Sequence, residues 1–591
     1  MKKDGKKRVW FLLIFCTAVF AAFLVRLYWM QFTMADHYAK KLEQASQTSY
    51  TVRIPAARGS IVDRSGTALV QDDTVYDLAL CVPAPPDTEM AQTLQTLKEL
   101  DLGGKDVETQ LAAFCSAVSA GELPVTQGLD SIGAAAYYRT GLVQSGAVRL
   151  AARGVRRWPD GTILPHALGF TGPVTAEQWP AARAQGLAMD ATIGQNGLEA
   201  AYDTLLRGRD GQLQINVGLD GVTRETMQTS TPVPGCTLVL TLDADLQKTL
   251  QTALQNQMDT LRTTKGIGAG REVRAGAAVV VDVRTGGILA AASLPDFDLS
   301  RYRSDYAALS ADSTAPLLDR VCQGLYAPGS AFKPAVAAAA LTAGIDPAAT
   351  VNCTGKYFYY SNYHPGCLQY GHRGPVDLRT ALEYSCNIFF YDTGRRLGVD
   401  TFSAMARQLG LANDTGVEIT AAQGRLTWST DTNYQDGLTL MAAIGQGNTA
   451  VTPLQLAQYA ATLANYGRKP TLHFADRAVQ PATGASVWQY EPAFTEIPGG
   501  EAVFGPIRDG MKRMAQTARA LREAPVTVAA KTGSPQLADT LPGGSHYVNS
   551  VLIGYAPADD PQIAMAVVLE YGGGGANAAP VMRAVLDAWF E

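Results

Sequence analysis

Ser330 stands in the stretch Tyr326-Ala327-Pro328-Gly329-Ser330-Ala331-Phe332-Lys333-Pro334, where Pro-Gly stops the chain and the serine opens an apolar run. Lys333 comes three residues later, one helical turn on and on the same face. That spacing sets an amine beside a hydroxyl. A desolvated lysine can be neutral and take the serine proton, while a helix N-terminus favours the negative charge that develops. Ser330 is therefore a candidate nucleophile and Lys333 its candidate base. Pro334 is compatible with this reading, because a first helical turn has no hydrogen bond for the missing N–H to break. Taken alone, Ser-x-x-Lys recurs by chance, and an N-cap serine followed by a surface lysine is the plain alternative.

Two later stretches strengthen the chemical reading. Ser385-Cys386-Asn387 lies within the largely apolar run Ala381 to Phe390, where Ser385 and Asn387 need partners that a substrate cleft could supply. Lys531-Thr532-Gly533-Ser534 follows the apolar run Val526 to Ala530 and reads as the end of that strand. A cation, two hydroxyls and a glycine there suit an anionic ligand end laid against a strand edge. The plain alternatives are a buried hydrogen-bond pair and an ordinary strand terminus.

Elements that could position these groups are legible on both sides. Val239 to Asp243 reads as a strand running into a helix capped by Asp243, which continues from Leu246 to Leu261. Ala277 to Val283 and Ile288 to Ala292 read as a hairpin turning at Thr285-Gly286-Gly287. Residues 330–460 look mostly helical and Ala-rich. Strands then return at Val526 to Ala530, Val551 to Ala556 and Ile563 to Glu570, before a last amphipathic helix from Ala578 to Phe590. Strands early, helices in the middle and strands late can form one sheet with a helical cluster beside it. Upstream, residues 33–48 read as polar helix, Arg53 to Gly66 as strand and turn, and residues 84–130 as mostly helical. Pro159 to Gly211 is rich in Gly and Pro, and Leu213 to Val217 reads as a strand. The expected fold class is α+β.

In order, Ser-x-x-Lys, Ser-x-Asn and Lys-Thr-Gly form the signature set of the penicillin-binding and serine β-lactamase fold. The chain resembles a class B, or monofunctional, penicillin-binding protein, and is similar to the elongation-type transpeptidases called penicillin-binding protein 2. Arg58 to Gly66 and Gly194 to Glu199 resemble two motifs of that family's pedestal. Thr241-Leu242-Asp243, Gly445-Gln446-Gly447 and Val451 to Gln455 resemble stretches of its catalytic module, and the Cys353 to Cys367 insert resembles the elongation type. The likeness covers residues 50–591. It implies a transmembrane helix (9–32) after a cytoplasmic tail (1–8), an irregular α+β pedestal (33–235) and a transpeptidase domain (236–591).

The resemblance also implies roles. Ser330 would be acylated, with Lys333 as its base, Ser385 as the relay toward the leaving nitrogen, and Lys531 holding that network. Asn387 would meet the substrate amide, and Thr532 and Ser534 the terminal carboxylate beside Gly533. The N–H groups of Ser330 and Ser534 would form the oxyanion hole. The implied partners are stem peptides ending in D-Ala-D-Ala, β-lactam antibiotics, membrane lipid, and a membrane glycosyltransferase of the shape, elongation, division and sporulation type. No metal or organic cofactor is expected. One departure concerns the cleft wall: where many relatives place an aromatic pair, His546-Tyr547-Val548 here runs into Asn549-Ser550.

Charge and cysteine content bound the alternatives. Lys2, Lys3, Lys6, Lys7 and Arg8 precede the uncharged apolar run Val9 to Val25, then Arg26 and a second greasy patch through Phe32. That pattern reads as a single-pass anchor with its basic end in the cytoplasm and everything after residue 32 outside. A cleaved signal peptide fits less well, since Arg26 and bulky aromatics stand where a small-residue cleavage site would be. The net charge of −5 and the lack of a basic stripe beyond the tail argue against a nucleic-acid partner. Cys81, Cys115, Cys236, Cys322, Cys353, Cys367 and Cys386 follow the anchor, an odd count that cannot be fully paired. For Cys353 and Cys367 a disulfide and two buried thiols both remain open, and their spacing matches no standard zinc pattern. A simple β-lactamase would have no use for the anchor and pedestal. A polymerising glycosyltransferase of its own would need a Glu-Asp motif near the membrane, which the chain lacks.

Overall fold

The computed structural model describes residues 3–37, 41, 48–82, 121–130, 132–135, 148–217, 223–367, 372–542 and 544–591. Met1–Ala57 and Gly208–Pro234 form one compact unit, and Arg58–Arg207 with Gly235–Glu591 form a second. In the first, an apolar helix spans Lys3–Tyr28 and continues as a π-helix over Trp29–Thr33. It is long and apolar enough to cross a bilayer and has none of its span buried in protein. This helix is the chain's membrane anchor. The same unit holds an antiparallel sheet of Thr48–Ile54, Gly211–Val217 and Thr223–Ser230 in that order.

The core of the second unit is a five-stranded antiparallel sheet ordered Ile288–Leu294, Gly276–Asp282, Ile563–Leu569, Ser550–Ala556, Ala529–Gly533. Its strands are buried almost throughout because both faces are covered, which is why they read as unbroken runs of Ala, Val and Ile. Side chains still alternate. Val280, Leu552 and Val567 pack with Leu250 and Leu254 of the Ala244–Arg262 helix and Val581 and Val585 of Ala579–Phe590. Val279, Ile553 and Val568 turn the other way, into the cluster holding Val336, Leu456 and Leu463.

That second face carries the helical cluster. Its centre is Lys333–Thr342, in which every residue from Lys333 to Ala340 is buried. Four consecutive alanines, Ala337 to Ala340, let neighbouring helices approach it closely on all sides at little cost in helix propensity. Pro453–Ala464 lies against the sheet and starts with a capping box, Thr452 and Gln455 each bonding the other's backbone N–H. Asp243 caps the Ala244–Arg262 helix as its sequence predicts, accepting from the Leu246 N–H at 3.0 Å.

A further sheet, ordered Ser486–Gln489, Ala475–Val479, Thr237–Leu240, Ile61–Val62, Ala68–Val82, Gly121–Leu129, also takes Val148–Arg157 against Ala68–Val82. Here the Arg58 to Gly66 and Gly194 to Glu199 motifs meet. The Arg58 Nε donates to Glu199 at 2.8 Å, the Arg156 Nε donates to the other Glu199 oxygen at 2.6 Å, and Glu199 is fully buried. Asp63 accepts from Ser65, Thr67 and the Ala244 N–H, tying the first motif to the start of the Ala244–Arg262 helix. A Cβ on Gly59 would fall 1.8 Å from the Cys236 carbonyl oxygen, so only glycine fits that crossing.

Two expectations change. Gly121–Leu129 is a strand, not helix, and the rest of the anticipated helical stretch, 84–120, lies outside the described residues. Much of the anticipated polar helix over 33–48 lies outside them too. The Lys-Thr-Gly segment does not close a strand beginning at Val526. It is itself the strand, Ala529–Gly533, because ladder pairing starts at Ala529 opposite Tyr555.

Candidate active site

Ser330 sits in a single 3-10 turn, Gly329–Phe332, that runs directly into the Lys333 helix. The turn is anchored by the Gly329 N–H, which donates to the Gly445 carbonyl at 2.9 Å. The Lys531 strand passes close beside it. A Cβ on Gly533 would lie 2.3 Å from the Pro328 carbonyl oxygen, so the glycine of Lys-Thr-Gly is what lets strand and turn touch.

Lys333 is wholly buried, and its Nζ donates to the Ser385 carbonyl at 2.7 Å, Ser385 Oγ at 3.0 Å and Asn387 Oδ1 at 2.7 Å. Lys531, equally buried, donates to Ser385 Oγ at 3.1 Å and to the Thr532 carbonyl at 3.0 Å. One hydroxyl is thus held between two lysines. Burial pushes Lys333 down to about 7. Burial, and then the neighbouring Lys333 charge, holds Lys531 well below the ordinary lysine range. Two ammonium groups sharing one serine cannot both be comfortably charged, so the arrangement favours one neutral amine near neutral pH. Ser385 adopts φ +57°, a left-handed conformation that a serine rarely takes and that the surrounding contacts must hold.

One cleft of about 540 Å³ is lined by Ser330, Ser385, Asn387, Thr532 and Ser534, while Lys333 and Lys531 are buried and meet it through Ser385 Oγ. The Lys531 strand is the edge of its sheet: Ser550–Ala556 pairs with one side, and no described strand pairs with the other. An extended peptide can add there by backbone pairing. Ser534 Oγ accepts from the Gly575 N–H at 2.8 Å, which leaves its own proton for an anionic ligand. Tyr363, Tyr391, Met441 and Val548 are among the other wall residues and were not singled out as site residues from the sequence. Val548 belongs to the stretch where an aromatic pair was missing. Tyr363 carried a readable signal, an aromatic-rich segment beside Cys367. Gln446, within the noted Gly-Gln-Gly stretch, also lines the cleft.

A second constellation lies directly behind. Cys353, Cys367, His372 and Cys386 are all buried, with their donor atoms within 4.8 Å of one another. His372 Nε2 is 3.6 Å from the sulfurs of both Cys353 and Cys367. No disulfide joins these cysteines. Three thiols and one imidazole at such separations match the tetrahedral shell of a soft divalent cation such as zinc. Sequence reading assigned no metal, and this geometry departs from that reading. Cys386 is the middle residue of Ser-x-Asn, so a cation there would sit one residue from both Ser385 and Asn387.

Residues 276–587, more than half of the chain, match the family model described as penicillin binding protein transpeptidase domain. The chain belongs to this family. Residues 53–240 match the penicillin-binding protein dimerisation domain. Among similar proteins, the peptidoglycan D,D-transpeptidase MrdA of Acinetobacter baumannii is 29% identical over 91% of this chain and 80% of the relative. MrdA of Escherichia coli is 27% identical over 97% of this chain and 92% of its own length. A chain solved in a peptidoglycan synthase complex that coordinates polymerization and crosslinking superposes with a TM-score of 0.73. It is 29% identical, covering 99% of this chain and 98% of the other. Penicillin-binding protein PBP2 of Helicobacter pylori, solved with MreC, shares the fold at a TM-score of 0.73 and 21% identity, covering 92% of this chain and 99% of that one.

Proposed function

We propose that this membrane-anchored peptidoglycan D,D-transpeptidase of the elongation type cross-links stem peptides through an acyl-enzyme on Ser330. The observation that carries the mechanism is the Ser385 hydroxyl bonded to both Lys333 and Lys531 in the cleft that Ser330 lines. A stem peptide ending in D-Ala-D-Ala lies along the open edge of the Lys531 strand. Thr532 and Ser534 receive its carboxylate, and Asn387 meets its amide. Ser330 Oγ attacks the carbonyl carbon of the penultimate residue and its proton passes to neutral Lys333. The N–H groups of Ser330 and Ser534 hold the oxyanion. As the C–N bond breaks, the departing amine of the terminal D-Ala takes a proton through Ser385, leaving an ester on Ser330. An amine of a neighbouring stem peptide then attacks the ester, loses a proton to the same relay, and returns the hydroxyl to Ser330.

The same cleft accepts β-lactams, whose strained amide and carboxylate copy the D-Ala-D-Ala end. Likeness to a chain of a peptidoglycan synthase complex supports a membrane glycosyltransferase of the shape, elongation, division and sporulation type as partner, with residues 33–235 as its docking pedestal. The test is product analysis of the full-length protein with a D-Ala-D-Ala stem peptide and an excess of an amine acceptor peptide. The proposal expects a cross-linked dimer and released D-Ala. Hydrolysed stem peptide without dimer would make the enzyme a carboxypeptidase.

A further inference from the structure

The loop between Cys353 and Cys367 carries large aromatic rings into solvent. Phe358 is 63% exposed, Tyr359 58% and Tyr363 38%. Contiguous exposed aromatics of this kind mark a binding surface, since each ring gives up the gain of leaving water. The loop is nonetheless held in shape. Its base is closed by the Cys367 N–H donating to Gly355 and the Tyr357 N–H donating to Pro365. Buried Tyr357 donates from its hydroxyl to Asp392 at 3.0 Å, and the Arg395 guanidinium lies 3.9 Å over the Tyr359 ring. Phe358 packs on His364 across the loop. The rings are therefore presented, not collapsed.

We propose that this loop is a glycan lip, stacking its rings on the N-acetylated amino-sugar strand whose stem peptide occupies the cleft. The proposal rests on the transpeptidase reading of that cleft. Two observations choose the occupant. First, the lip is continuous with the cleft: Tyr363, Pro365 and Gly366 line it together with Ser330, and Asn387 Nδ2 donates to the Gly366 carbonyl at 3.2 Å. A four-residue acyl stem spans at most about 14 Å when extended, so the sugar that bears it must lie just beyond the cleft wall. Second, Phe358-Tyr359-Tyr360-Ser361-Asn362-Tyr363-His364-Pro365 holds no acidic residue, lysine or arginine, and the Arg395 guanidinium stacked on Tyr359 is already bonded to the Tyr357 hydroxyl and paired with Asp392. Rings with hydroxyl and amide edges suit a neutral ligand that is apolar on its ring faces and hydrogen-bonding at its rim. A saturated acetamido-sugar has that chemistry, and an anionic lipid surface does not.

The test uses full-length protein in detergent micelles and peptide-free glycan strands of alternating N-acetylglucosamine and N-acetylmuramic acid. Binding is measured for wild type, for Phe358→Ala with Tyr359→Ala, and for the aromatic-preserving pair Phe358→Tyr with Tyr359→Phe. The lip predicts at least a tenfold loss of glycan affinity in the alanine pair, affinity within about threefold of wild type in the aromatic pair, and ordinary benzylpenicillin acylation of Ser330 in both. Equal glycan binding by wild type and the alanine pair, or none by wild type, would overturn it. So would unchanged glycan binding together with lost binding to anionic vesicles. Failure of wild type to acylate at Ser330 would instead strike the transpeptidase reading.

Discussion

Lys333 donates to Ser385 Oγ at 3.0 Å although the two residues are 52 positions apart in the chain. The bond joins the first turn of a buried helix to a serine held at φ +57°, and the same hydroxyl accepts from Lys531. In the proposed mechanism, a proton leaving Ser330 for Lys333 has a route onward through that hydroxyl. Ser385→Ala should leave Ser330 and its base in place while removing the relay. Acylation by benzylpenicillin is expected to slow by about 100- to 10,000-fold, measured as a second-order rate constant. A change below threefold would remove Ser385 from the mechanism.

The buried amine sets a pH profile. Lys333 is lowered to about 7 by burial, so it is charged and unable to accept a proton below that value and neutral above it. The acylation rate should climb with pH through about 7 and then level. Lys333→Arg stays protonated across the range, so its residual acylation should be slow and without that inflection. Stopped-flow acylation between pH 5 and 9 reads both.

Stability depends on the meeting of the Arg58 and Glu199 motifs. Glu199 is fully buried and bonded to both Arg58 and Arg156. Glu199→Ala leaves two guanidinium groups without their shared carboxylate, a loss of roughly 3–5 kcal/mol for a broken buried pair. Denaturant unfolding should show it directly, with benzylpenicillin acylation at 20 °C retained in the fraction that remains folded.

Metal content should follow the Cys353, Cys367, His372 and Cys386 cluster. Purified protein is expected to carry about one zinc per chain by plasma mass spectrometry. Cys367→Ser should lower metal affinity by at least about tenfold, while Cys322→Ser, buried elsewhere, should not change it. Protein isolated without metal and unable to take up zinc would dismiss the site.

The candidate site was legible in the sequence because its residues are concentrated in three short motifs, each of which reaches the cleft. The Asp243 cap and the hairpin of Gly276–Asp282 with Ile288–Leu294 were legible for the same reason, since each is decided within a few residues. What escaped depends on distant pairing. The Lys531 strand could not be bounded locally, because its limits are set by Ser550–Ala556 across the ladder. Gly121–Leu129 reads as helical alone and becomes a strand against Ala68–Val82. The four-donor cluster draws on a strand, a loop and a helix N-terminus, so no single spacing announces it. Arg58 and Glu199 lie 141 positions apart, and only the folded chain shows them as a pair.

The central claim is that Ser330 is the nucleophile, and intact-protein mass with peptide mapping tests it most directly. Full-length wild type incubated with benzylpenicillin should gain one drug mass, located on the peptide that contains Ser330 and persisting for many minutes. Ser330→Ala should gain none while keeping its thermal unfolding profile, since only one hydroxyl is removed from a half-buried turn. An adduct on any other residue, or an undiminished adduct in Ser330→Ala, would contradict the account.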